Sequence, residues 1–226
     1  MHILPAVGLV VALFGVPALL VALRAMNGDP FKLAPRLALW LLAAVVLAIA
    51  ATSDPAWRVS IGFGPLGWQP ITAALIATVA TLAAWPVIQS LQRALGAGTV
   101  IETESFKKLA AMPFAYRAFL VFTAGITEEI LYRGYAIGIG KLLLGSTLEA
   151  LAISLVVFVA AHFRWGAGHL LSVLWAGSVL SVLFVLTNSL LACVIAHVLI
   201  DAVGLLLAPL SMKWKAKHAK SAPRGV

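Results

Sequence analysis

Apolar runs, most of them about 18 residues or longer, alternate along this chain with short polar connectors. They fall at Ile3 to Leu23, Leu37 to Ala51, Pro70 to Leu91, Phe114 to Ile139, Thr147 to Phe163, His169 to Leu186 and Leu190 to Leu210. None alternates residue by residue as barrel strands would. The pattern predicts an all-α fold, a polytopic membrane helix bundle of about seven transmembrane helices. Between the second and third runs, Thr52 to Gln69 carries Gly62, Gly64, Pro65 and Gly67 and reads as loop, with Trp57 and Trp68 as interface anchors. Pro86 predicts a kink near the end of the third span. In the wetter segment Arg93 to Arg117, the stretch VIETESFKKLA puts acids before lysines, as a short surface helix prefers. Thr187-Asn188-Ser189 predicts a tight hairpin between the last two spans. No internal repeat and no soluble domain stands out.

Composition agrees with the pattern. Of the 226 residues, 62% are hydrophobic and 11% charged, against roughly 25% charged in a soluble protein. The net charge of +8 invites a nucleic-acid reading, but no basic-aromatic module accompanies it. Lys213, Lys215, Lys217, Lys220 and Arg224 instead form a basic tail after the last apolar run. Arg24, Lys32, Arg36, Arg93, Lys107, Lys108, Arg117 and Arg164 lie in connectors on the same side, and little beyond Arg58 and Lys141 lies on the other. The positive-inside bias therefore predicts an outside N-terminus, a cytoplasmic C-terminus and a tail near anionic lipid headgroups. With no basic residue before the first run and no clear cleavage site, that run reads as a retained span rather than a signal peptide. The single cysteine, Cys193, excludes an internal disulfide or a multi-cysteine metal site.

Against that background, the charges inside GITEEILYRGY, Gly125 to Tyr135, need a reason. A charge at the bilayer centre costs roughly 2.5–3.5 kcal/mol on insertion scales. Glu129 and Arg133, four apart, share a helix face and can pair. Glu128 is rotated about 100° from its neighbour and is left available for chemistry. A buried ion pair that only glues helices together accounts for Glu129 and Arg133 but not for Glu128. The fifth span ends in Phe158 and His162, four apart, so the phenyl ring can wall the imidazole. The last span carries His197 and Asp201, again four apart, where a carboxylate can orient an imidazole. Glutamate and histidine can activate a water as base and partner, or beside a metal that polarises it. Two histidines and a carboxylate also match the ligand count of catalytic zinc, although no H-E-x-x-H is present.

In order, EExxxR at Glu128, Glu129 and Arg133, FxxxH at Phe158 and His162, and HxxxD at His197 and Asp201 resemble the three motifs of the CPBP intramembrane proteases. This family of CAAX proteases and bacteriocin-processing enzymes, also called Abi, includes the Rce1-type prenyl-protein endopeptidases. The resemblance covers residues 114 to 210. It divides the chain into N-terminal spans and a surface helix (1–113), a catalytic helix core (114–210) and the basic tail (211–226). It implies an intramembrane endopeptidase that cuts a peptide or protein substrate, lipidated or membrane-associated, near the cytoplasmic face. By that resemblance Glu128 and His162 activate the water. Glu129, Arg133, His197 and Asp201 shape the site, bind metal or support an oxyanion. The family is classed as metalloprotease, which would make Glu128, His162 and His197 the ligands of a Zn²⁺. A metal-independent glutamate mechanism is the alternative for its prenyl-protein members. Asp201 stands where many members have asparagine, a departure that weakens the transfer of a prenyl-protein substrate. The Ala- and Leu-rich spans suit a bacterial inner membrane.

The span boundaries put Glu128 near the middle of the fourth span and His162 near the end of the fifth, whereas the motif reading requires them to meet. Cys193, which shares the face of His197, reads as packing. His169 and Trp165 read as interface residues, His2 and His218 as solvated, and Tyr132 and Tyr135 as packing residues able to donate into the site. Glu149 suits the N-terminus of its helix. Two rival functions come from other classes. A membrane scaffold or immunity protein retaining the fold would have no need of a free Glu128. A proton-coupled transporter would more naturally show broken helices in repeated halves.

Overall fold

A computed structural model describes residues 3–64, 67–98 and 103–210, and among these there are helices and no strand. The predicted basic tail lies outside the described residues. Five helices are long and apolar enough to cross a membrane: Ile3–Ala25 (α1), Leu33–Ser53 (α2), Trp68–Ala94, Ala167–Thr187 (α10) and Leu190–Leu210. The predicted fourth and fifth spans differ from these. The fourth is a continuous rod from Phe114 to Leu144 that carries Arg117, Glu128, Glu129, Arg133 and Lys141. The fifth is Thr147–Ala161 (α9), shorter than the usual crossing helix of about 20 residues.

Local chemistry explains where the elements break. The third span is interrupted at Ala84, which separates α4 (Trp68–Ala83) from α5 (Trp85–Ala94). Pro86 has no N–H to donate and its ring clashes with the carbonyl four residues back, so the predicted kink falls there. The connector expected to be loop holds one helical turn, α3 (Trp57–Ser60). Asp54 organises it, accepting from Ala56 N at 2.8 Å and from Ser60 Oγ at 2.6 Å. That turn docks on the hairpin between the last two spans. Leu190 N donates to Gly62 O at 2.9 Å, and Asn188 Nδ2 to Val59 O at 2.8 Å. Gly62 sits at φ +82°, where a side chain would also meet the backbone of Leu190. The predicted surface helix is α6 (Glu104–Ala111), capped by Thr103 Oγ1, which accepts from Phe106 N at 3.2 Å.

The rod has three parts. It begins as α7 (Phe114–Glu128), widens into a π-helix over Glu129–Ile139, and returns to α-helix in α8 (Gly140–Leu144). Every residue of the π segment is buried, and α1, α2, α9 and α11 (Leu190–Asp201) pack around it. The buried charges Glu129 and Arg133 are thus enclosed by protein while α1, α2 and α4 turn Leu, Ile and Val outward. Left-handed Gly145 ends α8, and Ser146 Oγ caps α9 by accepting from Glu149 N. The rod and α9 therefore run antiparallel from one turn. Glu128 and His162 lie almost equally far from it along their own helices, and this brings them level. The fourth helix extends past the expected boundary at Ile139, and that extension shifts Glu128 away from mid-span relative to α9.

Candidate active site

Two sets of polar contacts meet at the junction of α7 and the π segment. The inner set starts at Glu129, fully buried. Its Oε1 accepts from Arg133 Nη1 at 2.8 Å and from His197 Nδ1 at 2.6 Å. A carboxylate oxygen only accepts, so the imidazole proton sits on Nδ1. His197 Nε2 then faces Asp201 Oδ2 at 3.6 Å. Arg133, also fully buried, sends Nη2 to Gly177 O at 3.0 Å, and its guanidinium lies 4.4 Å from the centre of the Phe158 ring. A polar row of Arg133, Glu129, His197 and Asp201 thus crosses from the rod to α11. Asp201 marks the end of regular α-helix there, since Ala202–Leu207 continues as a second π segment. Both π segments begin immediately after motif residues, a placement common for such insertions at functional sites.

The outer set is the pair Glu128 and His162. His162 caps the end of α9, and its Nδ1 lies 2.8 Å from Phe158 O. A carbonyl cannot donate, so Nδ1 carries the proton and Nε2 presents a lone pair. That lone pair faces Glu128 Oε2 at 4.0 Å, too far for a direct hydrogen bond and suited to one bridging water. The two side chains keep 13% and 20% of their surface, in contrast to the sealed Glu129–Arg133 pair. Phe158 connects the sets: its ring packs 4.8 Å from His162 and 5.1 Å, edge-on, from Tyr132.

Glu128, His162, His197 and Asp201 line one cavity of about 740 Å³, whose walls are otherwise mostly apolar. All six residues singled out from the motifs are brought together, and the apparent mismatch in depth between Glu128 and His162 disappears. The zinc set does not assemble. Among the described residues no three His, Cys, Asp or Glu side chains are grouped to hold a metal ion. His197 is bound into the inner row through Glu129, apart from the Glu128–His162 pair. Cys193 is buried packing, its Sγ 3.5 Å from Leu180 O.

Two cavity residues, His169 and Arg36, escaped the sequence reading, and Tyr132, read as packing able to donate into the site, lines the cavity beside them. His169, expected at the interface, lies with its ring 6.0 Å from that of His162. Tyr132 is buried with an unpaired hydroxyl, whereas Tyr135 donates to Pro5 O at 3.1 Å. Arg36, read only as an orientation charge, also lines the cavity, its Nη2 2.6 Å from Pro30 O. No spacing rule marks His169 and Arg36, because each reaches the cavity through the packing of separate helices.

Residues 110–203 match the family model described as Rce1-like, type II CAAX prenyl endopeptidase Rce1-like. The match bears out the resemblance carried by the three motifs and spans all of them. No curated protein and no solved structure matches the chain.

Proposed function

We propose, from the match of residues 110–203 to the Rce1-like family model, that this protein is an intramembrane endopeptidase. It hydrolyses a peptide bond near one membrane face with a water held between Glu128 and His162. The single observation that carries the reading is the 4.0 Å gap between Glu128 Oε2 and His162 Nε2 inside the cavity. Both atoms are acceptors, so a water in that gap can direct a hydrogen to each and turn a lone pair outward.

In the proposed step the water oxygen bonds to the scissile carbonyl carbon and Glu128 takes its proton. The carbonyl π electrons move onto oxygen. When the C–N bond breaks, those electrons return and Glu128 passes the proton to the departing amine. Base catalysis of this kind contributes roughly 10²–10⁴-fold. Proton transfer is favoured because the Phe158 carbonyl fixes the tautomer of His162 and Glu129, not Glu128, absorbs the arginine. His197, which lines the cavity beside Asp201, is placed to donate from Nε2 to the oxyanion when it is charged.

The family points to substrates ending in a prenylated CAAX box, a cysteine followed by two aliphatic residues and a variable one. The mostly apolar cavity can accept such a lipidated or membrane-embedded peptide. Asp201, in place of the asparagine of many members, including the CAAX-processing ones, weakens the transfer of a prenyl-protein substrate to this protein. The Ala- and Leu-rich spans support a bacterial inner membrane for it, and the distribution of basic residues supports a cytoplasmic C-terminus.

The test compares peptide termini in cells expressing the wild type or Glu128→Ala at matched membrane abundance. New termini that vanish in the variant are expected, and they identify the bond. Identical termini from both folded proteins would instead support a scaffold that keeps the fold without the chemistry.

A further inference from the structure

The water-activating pair does not use His169, yet the fold holds this residue in place from several directions. It is the third residue of α10 and lines the same cavity as Glu128 and His162. Gly168 and Ser172, on either side of it, are anchored by Gln92 of α5, a buried amide. Gln92 Nε2 donates to Gly168 O at 2.7 Å and to Ser172 Oγ at 3.0 Å. Burying an amide is costly unless it is bonded, so this clamp fixes the first turn of α10. Gly168 packs directly on the Gly98 carbonyl, and a methyl there would collide with it. Trp165 closes the other side, its ring 5.3 Å from the imidazole. Held in this way, His169 has a buried Nδ1 with no partner. A neutral imidazole offers one donor and one acceptor; among the described residues none bonds Nδ1, and the ring edge that lines the cavity can present the other nitrogen to a ligand.

We propose that His169 is a substrate-binding residue that hydrogen-bonds the peptide backbone beside the scissile bond. A peptide unit offers the matching acceptor and donor. The 6.0 Å between the His162 and His169 rings exceeds the length of one such unit, about 3.8 Å between Cα atoms. A chain whose carbonyl meets the Glu128–His162 water therefore brings a neighbouring peptide group alongside His169. The inference rests on the endopeptidase reading and adds a residue that none of its three motifs contains.

The test uses the full chain in detergent and a peptide spanning the bond whose cleavage depends on Glu128. His169→Phe keeps a ring against Trp165 and removes both hydrogen-bonding atoms. KM should rise about tenfold, the worth of one neutral hydrogen bond, with kcat within threefold and the melting temperature unchanged or higher. His169→Asn, which retains a donor and an acceptor, should restore KM to within about threefold of wild type. An unchanged KM in His169→Phe would overturn the inference, as would a kcat loss like that of Glu128→Ala. If His169→Phe does not fold, a tenfold KM rise in His169→Asn would overturn it too, and a KM near wild type would support it. Absence of Glu128-dependent cleavage by the wild type would remove the endopeptidase reading and this inference together. Normal cleavage with an indifferent His169 would remove the inference alone.

Discussion

Replacing Arg133 with methionine tests how the site is built. The guanidinium is fully buried, bonds Glu129 Oε1 at 2.8 Å and Gly177 O at 3.0 Å, and rests on the Phe158 ring. Methionine retains much of the volume and none of the charge. The Gly177 carbonyl lies within α10 and keeps its place in the helical ladder, so its loss is minor. The main cost comes from Glu129, whose Oε2 already lacks a partner and whose Oε1 would keep only His197. Breaking a buried pair from one side costs roughly 3–5 kcal/mol, and loss of the cation–π contact falls within that range. For a chain of this size each kcal/mol lowers the melting temperature by roughly 2–4 °C, which predicts a fall of roughly 6–20 °C. Glu129→Gln in the same background removes the stranded charge and still accepts from His197, so the double variant should recover at least half the loss. The assay is thermal unfolding in detergent of wild type, both single variants and the double. An Arg133→Met protein within about 1 kcal/mol of wild type, or simple additivity in the double, would refute the view that the row is held by a sealed ion pair.

Two further outcomes follow from individual side chains. Tyr132→Phe removes a buried hydroxyl that has no partner. Such a group costs roughly 1–3 kcal/mol, so the melting temperature should rise by a few degrees, and a fall would show that the hydroxyl is bonded in solution. Lys108, hydrogen-bonded to Asp29 at 2.7 Å, holds the Asp29 carboxyl below its ordinary 3.8. A depressed value means the contact stabilises the fold above pH 3.8 and is lost as the pH falls through the lower, folded-state value. The pair is partly exposed and worth at most about 1 kcal/mol. Protease protection of α6 should therefore weaken in strong acid in the wild type, and Asp29→Asn should remove that acid-dependent part while lowering protection slightly at neutral pH. An identical acid profile in Asp29→Asn would show that the latch between α6 and the α1–α2 connector depends on other contacts.

Some of this was legible in the residues themselves. Long apolar runs can only be helices in a membrane or a core, because each backbone polar group then finds its partner within its own segment. Four-residue spacing put Glu129 with Arg133, Phe158 with His162 and His197 with Asp201, since neighbours on a helix face depend only on local geometry. Pro86 and the Asn188 turn likewise act locally.

Other features needed the assembled bundle. Hydrophobicity does not distinguish lipid from protein surroundings, so the rod Phe114–Leu144 read as an ordinary span although its π segment is enclosed on all sides. The length of that rod, and hence the meeting of Glu128 with His162, depends on where α8 turns into α9. The Glu129–His197 bond joins residues of separate helices, and His169 reaches the site through a clamp from Gln92. The chain by itself determined which residues could do chemistry and which helix face each occupied. Only tertiary packing decided which faces meet, because contacts between distant segments are set by how whole helices fit together and leave no periodic trace in either one.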